Sequence, residues 1–293
     1  MTITEAKIGP WRRAAQIAAE ARELGLREAR PGADLKELAD RIESFIRTQG
    51  AEPAFPANLS RNTEAAHFTP APDSKIRLEA GDLLKVDVGA HIDGAIADTA
   101  MTIEVGGGRR HENLIRAVRE ALEAGIAQVG AGVSVDEIGR AIQAAVQARG
   151  LKPVQNLTGH TIEPYLLHAG VAVPNVRGLA DTRLAEGQVL AIEPFVTNGA
   201  GLIENGPFGN IVRFRADPAG SDATIQEAYR RFRTLPFTTR WLPGSDGAAF
   251  LKRARRSLQT YPVFVEQGQG WVAQAEHTIW IGPDGPEVLT RSA

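Results

Sequence analysis

The stretch Leu83-Leu84-Lys85-Val86-Asp87-Val88-Gly89-Ala90-His91-Ile92-Asp93-Gly94-Ala95-Ile96-Ala97-Asp98-Thr99-Ala100-Met101-Thr102 decides how the rest of the chain is read. Two β-rich runs flank Asp93-Gly94, a dipeptide that accepts the positive φ values of a tight two-residue turn. That turn sets a register in which Ile92 faces Ala95, Ala90 faces Ala97 and Gly89 faces Asp98. Side chains alternate along a strand, so Asp87 shares a face with Gly89 and becomes the diagonal neighbour of Asp98. Two carboxylates then occupy one small volume among Val86, Val88, Ile96 and Ala97, where they repel unless a cation lies between them. A metal ion is the natural candidate. An Asp pair on a solvated hairpin would carry no such meaning, and the surrounding chain separates the two cases.

A chain of 293 residues can bury a large core. With 43% hydrophobic and 23% charged residues and a net charge of -2, it is globular in composition and shows no bias toward nucleic acid or an anionic membrane as partner. No apolar run approaches the roughly 18 residues that span a bilayer. Met1-Thr2-Ile3-Thr4-Glu5 lacks the basic and apolar regions of a signal peptide, so a cytoplasmic location is expected. The absence of cysteine excludes a disulfide scaffold, a thiolate zinc site and a cysteine nucleophile, leaving His, Asp and Glu as strong metal ligands.

Residues 11 to 28 carry Ala, Arg, Glu and Leu at helical spacing, and Leu35, Leu38, Ile42, Phe45 and Ile46 form one apolar stripe over 35 to 48. Two amphipathic helices therefore open the chain. The stretch 52–60 contains Pro53 and Pro56 and is expected to run as an extended edge segment. Helices are expected again near 110 to 128 and 134 to 149, and with them comes an internal repeat. Gly25, Gly32, Glu37, Ile42, Gly50 and Pro53 recur as Gly125, Gly132, Glu137, Ile142, Gly150 and Pro153. The match continues past the helices, because Gly81-Asp82-Leu83-Leu84-Lys85-Val86-Asp87 resembles Gly187-Gln188-Val189-Leu190-Ala191-Ile192-Glu193. Asp87 and Glu193 then hold one position in two copies of an α/β unit, and packing about a pseudo-twofold axis would bring both acids to a shared seam. The second copy adds Asn156-Leu157-Thr158-Gly159-His160 after its helix.

From Asn205 the pattern breaks. Helices are expected at 221–233 and 245–258, each opening on a Ser-Asp pair suited to N-capping, and together they read as a helical insertion spanning roughly 206–260 within the second unit. Residues 270–281 read as one buried strand that presents a third acid, Glu276, and a closing strand follows.

Asp87, Asp98, His160, Glu193 and Glu276 are the polar residues set inside apolar strands or beside glycines. Their four carboxylates carry a formal charge of -4, which two divalent cations would neutralise. A carboxylate-bridged metal pair polarises a scissile carbonyl and lowers the pKa of a bound water. The ordered set K-V-D-x-G, I-A-D-T-A, L-T-G-H, A-I-E-P-F and A-E-H-T resembles the methionine aminopeptidases of the creatinase or pita-bread fold, over nearly the whole chain. The long interval from Glu193 to Glu276, with its helical insertion and L-P-F-x-x-R-W-L, resembles the type 2 branch, and the short N-terminus its archaeal form.

The resemblance implies an α+β pita-bread fold of two pseudo-twofold-related units in a single catalytic domain, 1–293. It implies Asp87, Asp98, His160, Glu193 and Glu276 as ligands of two divalent ions of Co, Mn, Fe or Zn. Glu193 would also serve as general base, with His67 of A-A-H-F-T-P near the scissile amide and His168 of L-L-H-A-G near the carbonyl oxygen. By motif match Phe55, Phe195, Tyr261 and Leu167 would line a slot for a methionine side chain. The implied activity is removal of the initiator methionine from nascent peptides with a small second residue, by a monomer, with the ribosome as a further partner. His91 and His111 lack motif support and read as surface residues, and His277 points to the strand face opposite Glu276. Two rivals remain at this level: a Xaa-Pro peptidase, whose relatives usually carry a large extra N-terminal domain, and a non-catalytic relative of the proliferation-associated type, which would have lost metal ligands. The segment 203–210 departs from the family pattern.

Overall fold

The computed structural model describes residues 2–178, 181–242 and 246–292. Helices α1 (Gly9–Glu28) and α2 (Leu35–Thr48) lead into the short strands β1 (Glu52–Pro53), β2 (Asn58–Arg61) and β3 (Glu64–Ala66), then the hairpin of β4 (Leu83–Ile92) and β5 (Ala95–Glu104). The second half starts with α3 (Glu112–Ile126) and α4 (Val135–Ala148) and continues through β6 (Lys152–Pro153), β7 (Thr158–Ile162), β8 (Ala172–Pro174), β9 (Val189–Ile192), β10 (Phe195–Thr197) and β11 (Ile203–Phe214). Helices α5 (Ala223–Phe232) and α6 (Gly247–Ala254) intervene before β12 (Leu258–Glu266), β13 (Val272–Gln274), β14 (His277–Gly282) and β15 (Gly285–Val288).

The hairpin forms in the expected register, with Ile92 opposite Ala95 and Gly89 opposite Asp98. Its turn holds Asp93 and Gly94 at φ 49° and 88°, the left-handed pair that matches the twist of the flanking strands. Asp34 caps α2 through the N–H groups of Lys36 and Glu37, and the apolar stripe Leu35, Leu38, Ile42 and Ile46 is buried against β4 and α1. Strands β1 and β2 both pair with β4, on the edge that β5 leaves free.

The repeat seen in the sequence is a structural repeat. Ser60 pairs with Lys85 in the first half and His160 with Ala191 in the second; Pro53 pairs with Ala90, and Pro153 with Val196. These are the offsets that relate Asp87 to Glu193. Both halves also need a glycine at one place. A Cβ at Gly25 would lie 2.8 Å from Ile42 and Val86, and one at Gly125 would lie 2.9 Å from Ile142 and 3.2 Å from Ile192, so only glycine lets the helix approach its partner helix and the sheet this closely. The halves bury separate apolar clusters, one under α1 and α2 and one under α3 and α4.

The second copy is interrupted where the first is continuous. The counterpart of β4 is broken at Glu193-Pro194 into β9 and β10, because Pro194 has no N–H to donate. The counterpart of β5 is broken at Ala275-Glu276 into β13 and β14, so the single strand expected over 270–281 is two. At that break Glu276 leaves its own sheet and bridges Ala100 of the first half.

The expected helical excursion lies between the arms of the β11–β12 pair. Asp222 and Asp246 cap its helices, while the Ser245 end of the second expected helix lies outside the described residues. That helix also ends earlier than expected, at Ala254, since Leu258 is already paired with Phe214 as the first residue of β12. Phe214, Phe237 and Phe250 are fully buried in a third cluster, each worth about 1.5–3 kcal/mol of transfer free energy. The L-P-F-x-x-R-W-L motif docks this unit onto α2: Arg240 donates to Glu43 at 2.7 Å and to Asp40 at 2.6 Å, and the Trp241 indole donates to Glu43 at 2.6 Å.

Two histidines differ from expectation. His111 is buried, not superficial: its ring stacks on Trp271 with centroids 3.9 Å apart, and its backbone N–H donates to Glu104. His91 is half-buried, because its Nδ1 accepts from Gly94 N–H across the tight turn and its ring meets Tyr165 at 5.8 Å. His277 points away from Glu276 as expected and meets Thr290 Oγ1 at 2.9 Å.

Candidate metal centre and active site

Strands β4, β5 and β7 supply Asp87, Asp98 and His160, and the two strand breaks supply Glu193 and Glu276. All five line one cavity of about 390 Å³. Ligand atoms of Asp98, His160 and Glu276 lie within 4.8 Å of one another. His160 Nε2 is 3.3 Å from Glu193 Oε1 and 3.8 Å from Asp98 Oδ2. The Asp87 and Asp98 side chains thus share a face, as the hairpin register requires.

Burial governs the electrostatics. Desolvation pushes Asp87 up to about 7, partly offset by amide donors from Asn58 and Gln274. Asp98, Glu193 and Glu276 are held well above the usual carboxyl range, first by desolvation and then by the charge of neighbouring carboxylates, Asp87 among them in every case. His160 is pushed far down by the same burial, so its imidazole is neutral at neutral pH. Its Nδ1 faces the Thr161 carbonyl at 3.4 Å, which assigns the proton there and aims the lone pair of Nε2 at the acids.

A divalent cation fits this constellation. Asp87 Oδ1, Asp98 Oδ1 and Glu276 Oε1 are buried without a hydrogen-bond partner, and among the described residues no Lys or Arg pairs with any of the four carboxylates. Buried Asp87, Asp98 and Glu276 and half-buried Glu193 meet amides, a backbone N–H and a neutral imidazole but, among the described residues, no cationic partner, and so are stable together as anions only around added positive charge. The donor set of carboxylate oxygens and one imidazole nitrogen suits Mn, Fe, Co or Zn and matches no soft-metal pattern.

The other candidates line the same cavity. His67 adopts φ 65°, a strained conformation for a residue with a Cβ, and a Cβ at Gly209 would stand 1.9 Å from its carbonyl oxygen. Its ring packs between Tyr261 and Phe264, burial lowers its pKa to about 3, and its buried Nδ1 has no partner. His168 lies 4.3 Å, centroid to centroid, from His160, with its edge open to solvent; enclosure by the walls and then the Arg213 charge keep its imidazole neutral. Phe55, Phe195 and Tyr261 are buried beside the acids, with Leu167 at the margin. Gly89 makes room for Phe55, whose ring would lie 2.3 Å from a Cβ there.

Sequence reading missed the amides. Asn58, opposite Asp87 on β2, donates to its Oδ2 at 3.3 Å, and Gln274, two residues before Glu276, donates to Glu276 Oε2 at 3.3 Å. The signal for Gln274 was its alternation onto the face of Glu276, and the signal for Asn58 was a polar residue inside the buried pair Ala57 and Leu59. Arg213 and Gln259 also line the cavity and were not singled out.

Metallopeptidase family M24 matches residues 11–226. The chain is 45% identical over 289 residues to a methionine aminopeptidase of Pyrococcus horikoshii, covering 95% of this chain and 97% of that protein. Its fold is that of the solved methionine aminopeptidase from Rickettsia prowazekii, with a TM-score of 0.75 over 99% of both chains at 24% identity. It also superimposes on the structure of a thermophilic Arx1 with a TM-score of 0.85, covering 98% of this chain and 91% of that one at 17% identity. A pita-bread fold of two α/β halves, a family match over most of the length and a relative of this identity end to end place the chain: it belongs to metallopeptidase family M24, among the methionine aminopeptidases.

Proposed function

We propose that this chain, a single catalytic domain over 1–293 with its 206–260 helical insertion, removes the initiator methionine from nascent proteins whose second residue is small. Asp87, Asp98, His160, Glu193 and Glu276 would hold two divalent ions. When bound, the ions supply a lowered water pKa and a polarised carbonyl. The observation that carries the reading is the set of buried carboxyl oxygens without partners, drawn from both halves of the molecule onto one seam.

The remaining steps belong to the chain's own side chains. Glu193 lies beside His160 in a desolvated site that raises its proton affinity, which suits it to accept the proton of the attacking water. His168, neutral and at the rim of the acids, donates a hydrogen bond to the substrate carbonyl oxygen as negative charge develops there. His67, held in its strained conformation with a free Nδ1, faces the scissile amide. Phe55, Phe195, Tyr261 and Leu167 receive the methionine side chain, and the acids receive the free α-amine, which limits cleavage to the first residue. The substrate is the N-terminal methionine of peptides leaving the ribosome, met by a monomer in the cytoplasm.

Metal-stripped protein reconstituted with Mn(II) or Co(II) is assayed on Met-Ala-Ser and Ala-Pro-Ala. Methionine release from the first peptide alone is expected. Silence on the first peptide ends the proposal, and cleavage of the proline peptide alone assigns the chain to Xaa-Pro hydrolysis.

A further inference from the structure

The inner face of β11 and β12 presents Ile211 and Arg213 from one strand and Tyr261 and Gln259 from the other, paired in that order, and all four line the cavity. A slot for a methionine side chain has no use for a guanidinium. Arg213 donates from Nε and Nη2 to the Gln259 side-chain oxygen at 3.0 and 2.8 Å and lies near enough to Tyr261 for its charge to act on the hydroxyl. Both groups are neutral, and among the described residues no carboxylate forms an ion pair with Arg213. A half-buried cation beside two neutral groups keeps its charge available for whatever enters the cavity.

Its place in the cavity indicates what that is. His160 contacts the acids, exposed His168 packs on His160, and half-buried Arg213 lines the same cavity close enough for its charge to act on His168. An extended peptide advances about 3.3 Å per residue. With its first residue in the apolar slot and its first amide at the acids, its following residues pass this wall.

We propose that Arg213 is a specificity-determining residue which favours substrates carrying a carboxylate just beyond the small second residue, either an Asp or Glu side chain at the third position or the terminal carboxylate of a tripeptide. The inference rests on the aminopeptidase reading. Guanidinium and carboxylate pair through a planar two-point fork that neither lysine nor an amide reproduces.

The test is kcat/KM for methionine release by the manganese-loaded enzyme from Met-Ala-Glu-amide, Met-Ala-Gln-amide and Met-Ala-Lys-amide, and from Met-Ala-Gln with a free terminus. The Glu peptide is expected to exceed the Lys peptide about tenfold, Arg213→Met to bring the ratio within about twofold, and Arg213→Glu to invert it. A preference for the free acid over the amide that disappears in Arg213→Met assigns the terminal carboxylate as a source. Equal rates across all peptides in the wild type, or a preference that survives Arg213→Met, overturns the inference. Should the variants fail to fold, the wild-type Glu/Lys ratio must shrink between about 20 and 500 mM salt as the charges are screened, and a ratio indifferent to salt overturns it equally. Release of no methionine from any peptide is a different failure, that of the aminopeptidase reading itself, and removes the inference with it.

Discussion

Ala100 and Glu276 hold equivalent positions in the two halves, and their backbones hydrogen-bond to each other, Ala100 N–H to Glu276 O at 3.4 Å and Glu276 N–H to Ala100 O at 2.9 Å. The equivalence follows from register: Gly89 pairs with Asp98 as Phe195 pairs with Gln274. Two equivalent residues that bond each other lie on the pseudo-twofold axis. The neighbouring bonds obey the same symmetry. Thr102 Oγ1 donates to Gln274 O at 2.6 Å and accepts from Gln274 N–H at 2.8 Å; Thr278 Oγ1 donates to Asp98 O at 2.7 Å and accepts from Asp98 N–H at 2.8 Å. The acids therefore meet at the one seam to which both halves contribute, and Glu276 fills a place where its counterpart is only alanine.

If the halves are equivalent in packing, they should fail alike. Gly25→Val and Gly125→Val each force a side chain into a helix–helix–strand contact, and each is expected to destabilise the protein by about 1–3 kcal/mol. Urea denaturation measures both. A variant as stable as the parent would show that its half does not depend on that close approach.

Glu193→Gln keeps the shape of the side chain and removes its ability to accept a proton. Methionine release is expected to fall at least about 100-fold, while circular dichroism and the cooperativity of unfolding stay those of the parent. Retained turnover would remove Glu193 from the role of base.

Gln274→Leu deletes the amide that donates to Glu276 and acts on Asp87 beside it. Mutating such supporting partners costs about 10- to 100-fold in metal affinity. Isothermal titration of the metal-stripped variant with Mn(II) should show that loss, and unchanged affinity would mean that the amide does not orient the acids.

The pH dependence of the metal-free protein has a fixed sign. Asp87 moves from 3.8 to about 7 on folding, and the other three acids move the same way. The native state thus binds more protons than the unfolded chain, and this stability, complete below the unfolded value, is lost as pH rises through about 7 and beyond. His67 moves the opposite way, from 6.5 to about 3, so its cost appears only as pH falls below its unfolded value. Buried Lys85, lowered from 10.5 to about 7, opposes the acids above about pH 7, but it is one group against the three acids Asp98, Glu193 and Glu276, so between roughly pH 6.5 and 8.5 the Tm of chelator-treated protein should still fall. The rise in Tm on adding Mn(II) should grow over the same range, because the ions replace protons. A metal-free Tm that climbs with pH would contradict the burial of the acids.

Much of this was legible in the sequence for a local reason. Asp93-Gly94 fixes the hairpin turn, the turn fixes the register, and the register places Asp87 diagonal to Asp98. The glycines of the repeat marked both halves because close approach tolerates nothing larger. The break at Ala275-Glu276 was hidden, since it arises from pairing with Ala100, a contact across the molecule with no local signature. Asn58 and Gln274 escaped notice for the same reason: a lone amide acquires meaning only once the acid opposite it is known. His111 read as superficial because its cover, Trp271, lies far along the chain.

The most direct test of the shared seam is anomalous diffraction from crystals of the protein loaded with manganese. Two manganese peaks are expected among Asp87, Asp98, His160, Glu193 and Glu276. Manganese absent from that seam, or bound elsewhere while methionine is still released, would contradict an activity that arises where the two halves meet.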